Sequence, residues 1–187
     1  HSLIGLETGV IDTGSVFPYD GRRQPFRAWE CDQTLDSAFR YSVVWAYQQL
    51  ALKIGQSGMD RWLEKVGYGH GQRDCLTGFW LDGSWTVSAR DQLDLMVRFD
   101  RGELPFAPKH LETVRRIMDE PWDTGGWFGG KTSTHMHAGH LQAGWFIGHL
   151  DKPGTKLAFV TLIRAEDDAR GHKAKAITKA ILHDLGY

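Results

Sequence analysis

"HLQAGWFIGHLDKPGTKLAFVTLI", residues 140–163, contains two runs rich in aromatic and aliphatic side chains, 140–150 and 156–163, joined by the five turn-forming residues "DKPGT". Runs of this length on either side of a short Pro-Gly turn predict two antiparallel strands in a hairpin. Working backwards, "WFGGKTST" (127–134) predicts a third strand. Working forwards, "RGHKAKAITKAILHDLG" (170–186) carries Ile177, Ile181, Leu182 and Leu185 as one apolar stripe, the pattern of a helix laid on a sheet. Upstream of Pro121 the period is helical. The order of helices, antiparallel strands and a final helix is α+β: an antiparallel sheet with flanking helices plus an all-helical region.

Within that region, Gly14–Phe26 reads as a loop. Asp32 or Thr34 can cap a helical segment in which Leu35, Ala38, Phe39, Val43, Ala46, Tyr47, Leu50 and Ile54 recur at helical spacing up to Gly55. The β-branched run in "RYSVVWAY" (40–47) predicts a break near Ser42. "MDRWLEKV" (59–66) is a helix stopped by Gly67, and residues 68–88 are too glycine-rich for a regular element. Ser88 can cap "ARDQLDLMVRFDRG" (89–102), with Leu93, Met96, Val97 and Phe99 facing a core. "PKHLETVRRIMDE" (108–120) is a further helix closed by Pro121. The expectation is one domain over 1–187, mainly helical across 14–120, with sheet strands and a terminal helix across 121–187. Three strands are few for a sheet flanked by helices, so further N-terminal strands are expected upstream of His1. The Leu3/Ile4/Leu6 turn closed by Gly9 likewise reads as a helix that begins before His1.

The 187 residues carry a formal net charge of −1, and the basic residues are dispersed, which argues against a nucleic-acid partner. No apolar run approaches the roughly 20 residues of a membrane span. Cys31 and Cys75 match neither a disulfide framework nor a metal-site spacing.

The stretch before the hairpin holds two chemistries. His135, His137 and His140 could supply nitrogen ligands, but no carboxylate or cysteine completes a set, and they read as residues around a turn. Lys131, Thr132, Ser133 and Thr134 combine a cation with hydroxyl and backbone donors, which suits a carboxylate or a developing oxyanion. Strand alternation sends Lys131 and Ser133 to one face and Thr132 and Thr134 to the other.

The order of "SLIGLETGVI" (2–11), "AWECDQTLDSAF" (28–39), "SVV" (42–44), "YGH" (68–70), "FWL" (79–81), "KTS" (131–133) and "GWFIGHLDK" (144–152) resembles the class D β-lactamases, or oxacillinases, and the β-lactam sensor domains related to them. The resemblance runs from residue 1 to about residue 182 and implies the β-lactamase/transpeptidase-like fold. It implies hydrolysis of β-lactams through a serine acyl-enzyme, with a sensing receptor domain or an inactive relative as alternatives. It places the nucleophilic Ser-x-x-Lys, whose lysine is carboxylated by carbon dioxide, just before residue 1. No other cofactor and no metal are implied.

Carried over position by position, the resemblance makes Ser42 the proton shuttle. Val44 becomes an apolar wall, and Trp80 a donor to the carboxylated lysine. Lys131 and Thr132 would bind the substrate carboxylate, and the Thr134 N–H would form half of an oxyanion hole. Ser133 stands where the family has glycine, and His70 where it has asparagine. Arg164, Arg170 and Lys173 all remain candidates to pair the substrate carboxylate. The implied partner is a small β-lactam, with no membrane for the enzyme reading, and the implied location is periplasmic or secreted.

Overall fold

A computed structural model describes residues 1–187, apart from the side chain of His137. In chain order its helices are α1 (Ser2–Thr8), α2 (Leu35–Arg40), α3 (Val44–Ile54), α4 (Gln56–Val66), α5 (Ala89–Asp100), α6 (Pro108–Met118) and α7 (Gly171–Asp184). The strands are β1 (Val16–Phe17), β2 (Gln33–Thr34), β3 (His70–Gly71), β4 (Trp85–Thr86), β5 (Asp119–Pro121), β6 (Trp127–His137), β7 (His140–Lys152) and β8 (Thr155–Arg164). The chain forms two compact units, His1–Thr86 with Leu104–Met118, and Val87–Glu103 with Asp119–Tyr187.

The first unit is helical, with α1 packed on α3 and α6. Its helix boundaries follow local chemistry. Thr34 caps α2 in a reciprocal capping box with Ser37, which satisfies two otherwise orphaned N–H groups. The expected break falls at Ser42, between α2 and α3. Gly67 ends α4 in the left-handed conformation. Leu35, Ala46, Leu50 and Met59 are fully buried beneath these helices. Two short ladders escaped the sequence reading: Val16–Phe17 pairs with Gln33–Thr34, and His70–Gly71 pairs with Trp85–Thr86.

The second unit is a four-stranded antiparallel sheet in the order β5-β6-β7-β8. The β7–β8 hairpin closes at Gly154 with φ 79°, as "DKPGT" predicts. The β6–β7 hairpin turns through Ala138 and Gly139, both at positive φ, the geometry that follows the twist of paired strands.

Here the structure adds a strand and moves a helix end. α6 stops at Met118, two residues short of the expected Glu120, and Asp119–Pro121 pairs with β6. The Trp122 N–H donates to the Gly126 carbonyl, so hydrogen-bonded pairs fall at 122/126 and 120/128. Pro121 sits opposite Trp127 in the non-bonded pair between them, where a missing N–H costs nothing.

α7 covers one sheet face, over Phe128, Phe146 and Leu150. Its buried residues are Ala174, Thr178 and Leu182. Of the expected stripe only Leu182 is buried, while Ile177, Ile181 and Leu185 are exposed by 43 to 66%. Small residues let the helix lie close to the sheet, and the Thr178 hydroxyl, which donates to the Ala174 carbonyl, is also 2.7 Å from the Thr161 hydroxyl. α5 packs against β7 and β8. Ser88 caps it, and Met96 and Phe99 are buried as expected, whereas Leu93 is exposed.

Candidate active site

The Lys131–Thr134 segment lies in the middle of β6, with Thr132 opposite Phe146 and Ser133 opposite Trp145 on β7. Thr132 and Thr134 face α7. The Thr134 hydroxyl accepts from the Gly171 N–H at 3.0 Å, and the Thr132 Cβ lies 2.9 Å from where a Cβ on Gly171 would stand. Lys131 and Ser133 therefore occupy the opposite face, as alternation predicts.

The backbone of β6 has two edges. Since Phe128 bonds toward β5, every second residue from it, Gly130, Thr132 and Thr134, also aims its N–H and C=O at the β5 side. β5 pairs no further than Gly129. Among the described residues no strand pairs with 130–134 on that side, leaving main-chain donors available to an extended ligand.

The Lys131 ammonium donates to the Thr132 carbonyl at 2.8 Å, on this same edge. Burial pushes its pKa down to about 8, so at neutral pH most molecules still carry the cation but at reduced hydration. A weakly hydrated ammonium beside main-chain N–H groups suits a bound carboxylate.

Gly171, the first residue of α7, brings the preceding residue to the strand as well. A Cβ on Gly144 of β7 would fall 2.5 Å from the Arg170 backbone. Arg170 thus stands beside the Thr134/Gly144 pair, and its guanidinium pairs with Asp168 at 2.6 Å. Lys173 pairs with the same carboxylate, and its ammonium and the Arg170 guanidinium hold Asp168 down to a pKa of about 2. Arg164 ends β8, opposite Ala143 of β7.

In the helical unit, Ser42 occupies the junction of α2 and α3 with φ 54°, a left-handed conformation that a serine adopts at a cost of roughly 1–2 kcal/mol. The Ser42 and Val43 N–H groups donate to the Phe39 and Ala38 carbonyls, and Val43 is fully buried. The "AWECDQTL" stretch braces this junction. The Trp29 indole donates to the Tyr41 carbonyl at 2.9 Å, and the Trp45 indole donates back to the Trp29 carbonyl. Buried Gln33 donates to the Ala28 and Cys31 carbonyls and accepts from Ser37. Val44 is the first residue of α3. Trp80 is half-buried, and its ring meets Phe79 and His1 edge-on at 5.1 and 4.3 Å. "LIGLETG" is explained by Glu7, whose carboxylate accepts from the Ala107 N–H and meets His110 Nδ1, both at 2.7 Å, tying α1 to the start of α6.

His135 is exposed on β6, and His140 lies 3.8 Å from Asp167. The side chain of His137 lies outside the described residues. Among those described, no group of three or more His, Cys, Asp or Glu side chains is placed to hold a metal. Cys31 and Cys75 are exposed free thiols. Sequence reasoning missed one buried polar centre. His149 of β7 is 1% exposed, with Nδ1 2.8 Å from Asp100 of α5 and Nε2 2.6 Å from Asp119 of β5. A histidine within the apolar run "GWFIGHL" was the available signal.

The chain matches the penicillin binding protein transpeptidase domain over residues 1–183. The regulatory protein BlaR1 of Bacillus licheniformis is 32% identical over 186 residues, covering 99% of this chain and 31% of BlaR1. β-Lactamase OXA-20 of Pseudomonas aeruginosa is 33% identical over 198 residues, covering 99% of this chain and 69% of that enzyme. In three dimensions the C-terminal domain of the Bacillus licheniformis BlaR penicillin receptor superimposes with a TM-score of 0.94 at 32% identity. A class D β-lactamase from Bacillus subtilis superimposes at 0.91 and 34%. Each of these two alignments covers 99% of this chain and 76% of the other.

Proposed function

Since the chain belongs to the penicillin-binding protein transpeptidase family, among the class D β-lactamases and their receptor relatives, we propose that the intact protein hydrolyses β-lactams through a serine acyl-enzyme. The observation that carries this reading is the open edge of β6, where the N–H groups of Thr132 and Thr134 line up beside the largely desolvated Lys131 ammonium. A β-lactam presents the complement, a carboxylate and an amide-bearing acyl side chain.

In this reading Lys131 and Thr132 hold the substrate carboxylate, and the Thr134 N–H stabilises the oxyanion formed when serine attacks the lactam carbonyl. Ser42 delivers a proton to the lactam nitrogen as the C–N bond breaks, and water then releases the acyl group. Val44 supplies an apolar wall, and the Trp80 indole a hydrogen bond to the carboxylated lysine that acts as base. The family reading places that lysine and the nucleophile before residue 1. Arg170 is favoured over Arg164 and Lys173 for the substrate carboxylate, because the start of α7 is docked against Thr132–Thr134. The location that fits is periplasmic or secreted; no helix of the described residues is long and apolar enough to cross a membrane.

A second reading, a receptor domain that acylates but hardly deacylates, is favoured by the similarity to BlaR1 and its penicillin-receptor domain. Intact-protein mass spectrometry after mixing with benzylpenicillin separates the two. A transient adduct with continuous turnover is expected of the enzyme, a long-lived adduct of the receptor, and no adduct refutes both. Turnover that rises with bicarbonate and is unaffected by EDTA would support the carboxylated-lysine base; loss on EDTA with recovery on zinc would overturn it.

A further inference from the structure

Asp119, Gly129 and His149 lie in one line across three strands, since β5 pairs Asp119 with Gly129 and β6 pairs Gly129 with His149. Asp119 and His149 are thus two strands apart, about 10 Å between backbones, yet their side chains meet at 2.6 Å. They do so by bridging over Gly129, the residue in the line that has no side chain. The other ring nitrogen meets Asp100 of α5 at 2.8 Å. The line crosses β6 two residues before Lys131, at the point where β5 ends and the open edge begins.

We propose that His149 is a positioning residue for the substrate edge of β6: by clamping β5 to β7 across Gly129 it holds Lys131–Thr134 at a fixed register and height. This rests on reading that edge as the β-lactam site. The buried ring carries a charge, for although burial opposes protonation, the hydrogen bonds and charges of Asp100 and Asp119 outweigh it and raise its pKa to about 9. The clamp is therefore intact at neutral pH. The two arms differ in geometry, the Asp119 arm crossing β6 and the Asp100 arm reaching α5, which makes the role separable from general stabilisation.

The test compares Asp119→Asn, Asp100→Asn and His149→Gln in the intact protein, assayed well below each melting temperature with the folded fraction checked by near-UV circular dichroism. Positioning predicts that Asp119→Asn lowers the second-order rate of acylation by a fluorescent penicillin about tenfold, while Asp100→Asn lowers it less than twofold at a similar loss of melting temperature. Amide hydrogen exchange at Thr132 and Thr134 should quicken in Asp119→Asn and not in Asp100→Asn. Equal effects of the two variants on acylation and exchange, or a loss of stability alone, would overturn the inference. If His149→Gln does not fold, the two aspartate variants still decide. If the wild-type protein is never acylated, the functional reading fails, and the exchange contrast alone supports or refutes the clamp.

Discussion

Gly171 and Thr134 join the start of α7 to the middle of β6: the Gly171 N–H donates to the Thr134 hydroxyl at 3.0 Å, and a Cβ at Gly171 would fall 2.6 Å from the Ser133 carbonyl oxygen. The atoms it would strike are the Ser133 backbone oxygen and nitrogen and the Thr132 Cβ, none of which can rotate aside. Gly171→Ala is therefore expected to lift α7 from the strand, costing roughly 1–3 kcal/mol by overpacking. Urea unfolding of the intact variant measures this, and an unchanged midpoint would show that the contact relaxes freely.

Ser42 separates conformation from chemistry. Its φ of 54° suits glycine, so Ser42→Gly, which loses the same hydroxyl as Ser42→Ala, should melt at a higher temperature than Ser42→Ala. Both Ser42→Gly and Ser42→Ala should lower kcat on penicillins by about 10²-fold or more, the range for a lost proton-transfer group. Wild-type turnover in either variant would remove Ser42 from the mechanism.

Lys131 sets an alkaline limit. The cation is the form that holds a carboxylate, and burial brings its pKa down to about 8, so kcat/KM should fall as pH rises through about 8. Lys131→Arg keeps its charge to far higher pH and should shift that fall upward even if overall activity drops. A profile identical in the two proteins would assign the limb to another group.

Ser133 stands exposed on the face of β6 opposite α7. If its side chain crowds the bound acyl substituent, Ser133→Gly should raise kcat/KM more for large oxyimino cephalosporins than for benzylpenicillin. Equal changes for both substrates would mean that it does not touch the substituent, and a drop for both that its hydroxyl binds substrate.

His149 makes stability depend on pH in a defined direction. Its folded pKa is raised from 6.5 to about 9, so its contribution is fully present below about pH 6.5 and is lost as pH climbs through 9. The difference in unfolding free energy between wild type and His149→Gln should shrink across that window by an amount on the order of 3 kcal/mol. Denaturant titrations at several pH values test this. A constant difference would show that the ring is not charged in the folded protein.

How much was legible beforehand depended on the range of the interaction. The caps at Thr34 and Ser88, the break at Ser42, the stops at Gly55 and Gly67 and the β7–β8 turn at Gly154 are settled by groups within a few residues of one another. Local hydrogen bonding and allowed φ values suffice to write them into the chain. The period-two alternation that divides Lys131 and Ser133 from Thr132 and Thr134 is of the same kind.

The rest required partners distant in the chain. Asp119–Pro121 reads as the end of a helix until β6 is available to pair with it, and α7 shows two usable faces until Thr161 and Phe128 select the one with small residues. His149 among apolar neighbours looks like a misplaced polar group. Only the fold brings it Asp100 and Asp119, 49 and 30 residues away, and burial among those two carboxylates is what turns a histidine in a strand into a charged clamp. The sequence by itself determined the main helices, the three long strands and their order, because these rest on local sterics and side-chain periodicity. The tertiary structure decided which edge of β6 stays open and what holds it, because these rest on pairing and charge between residues far apart in the chain.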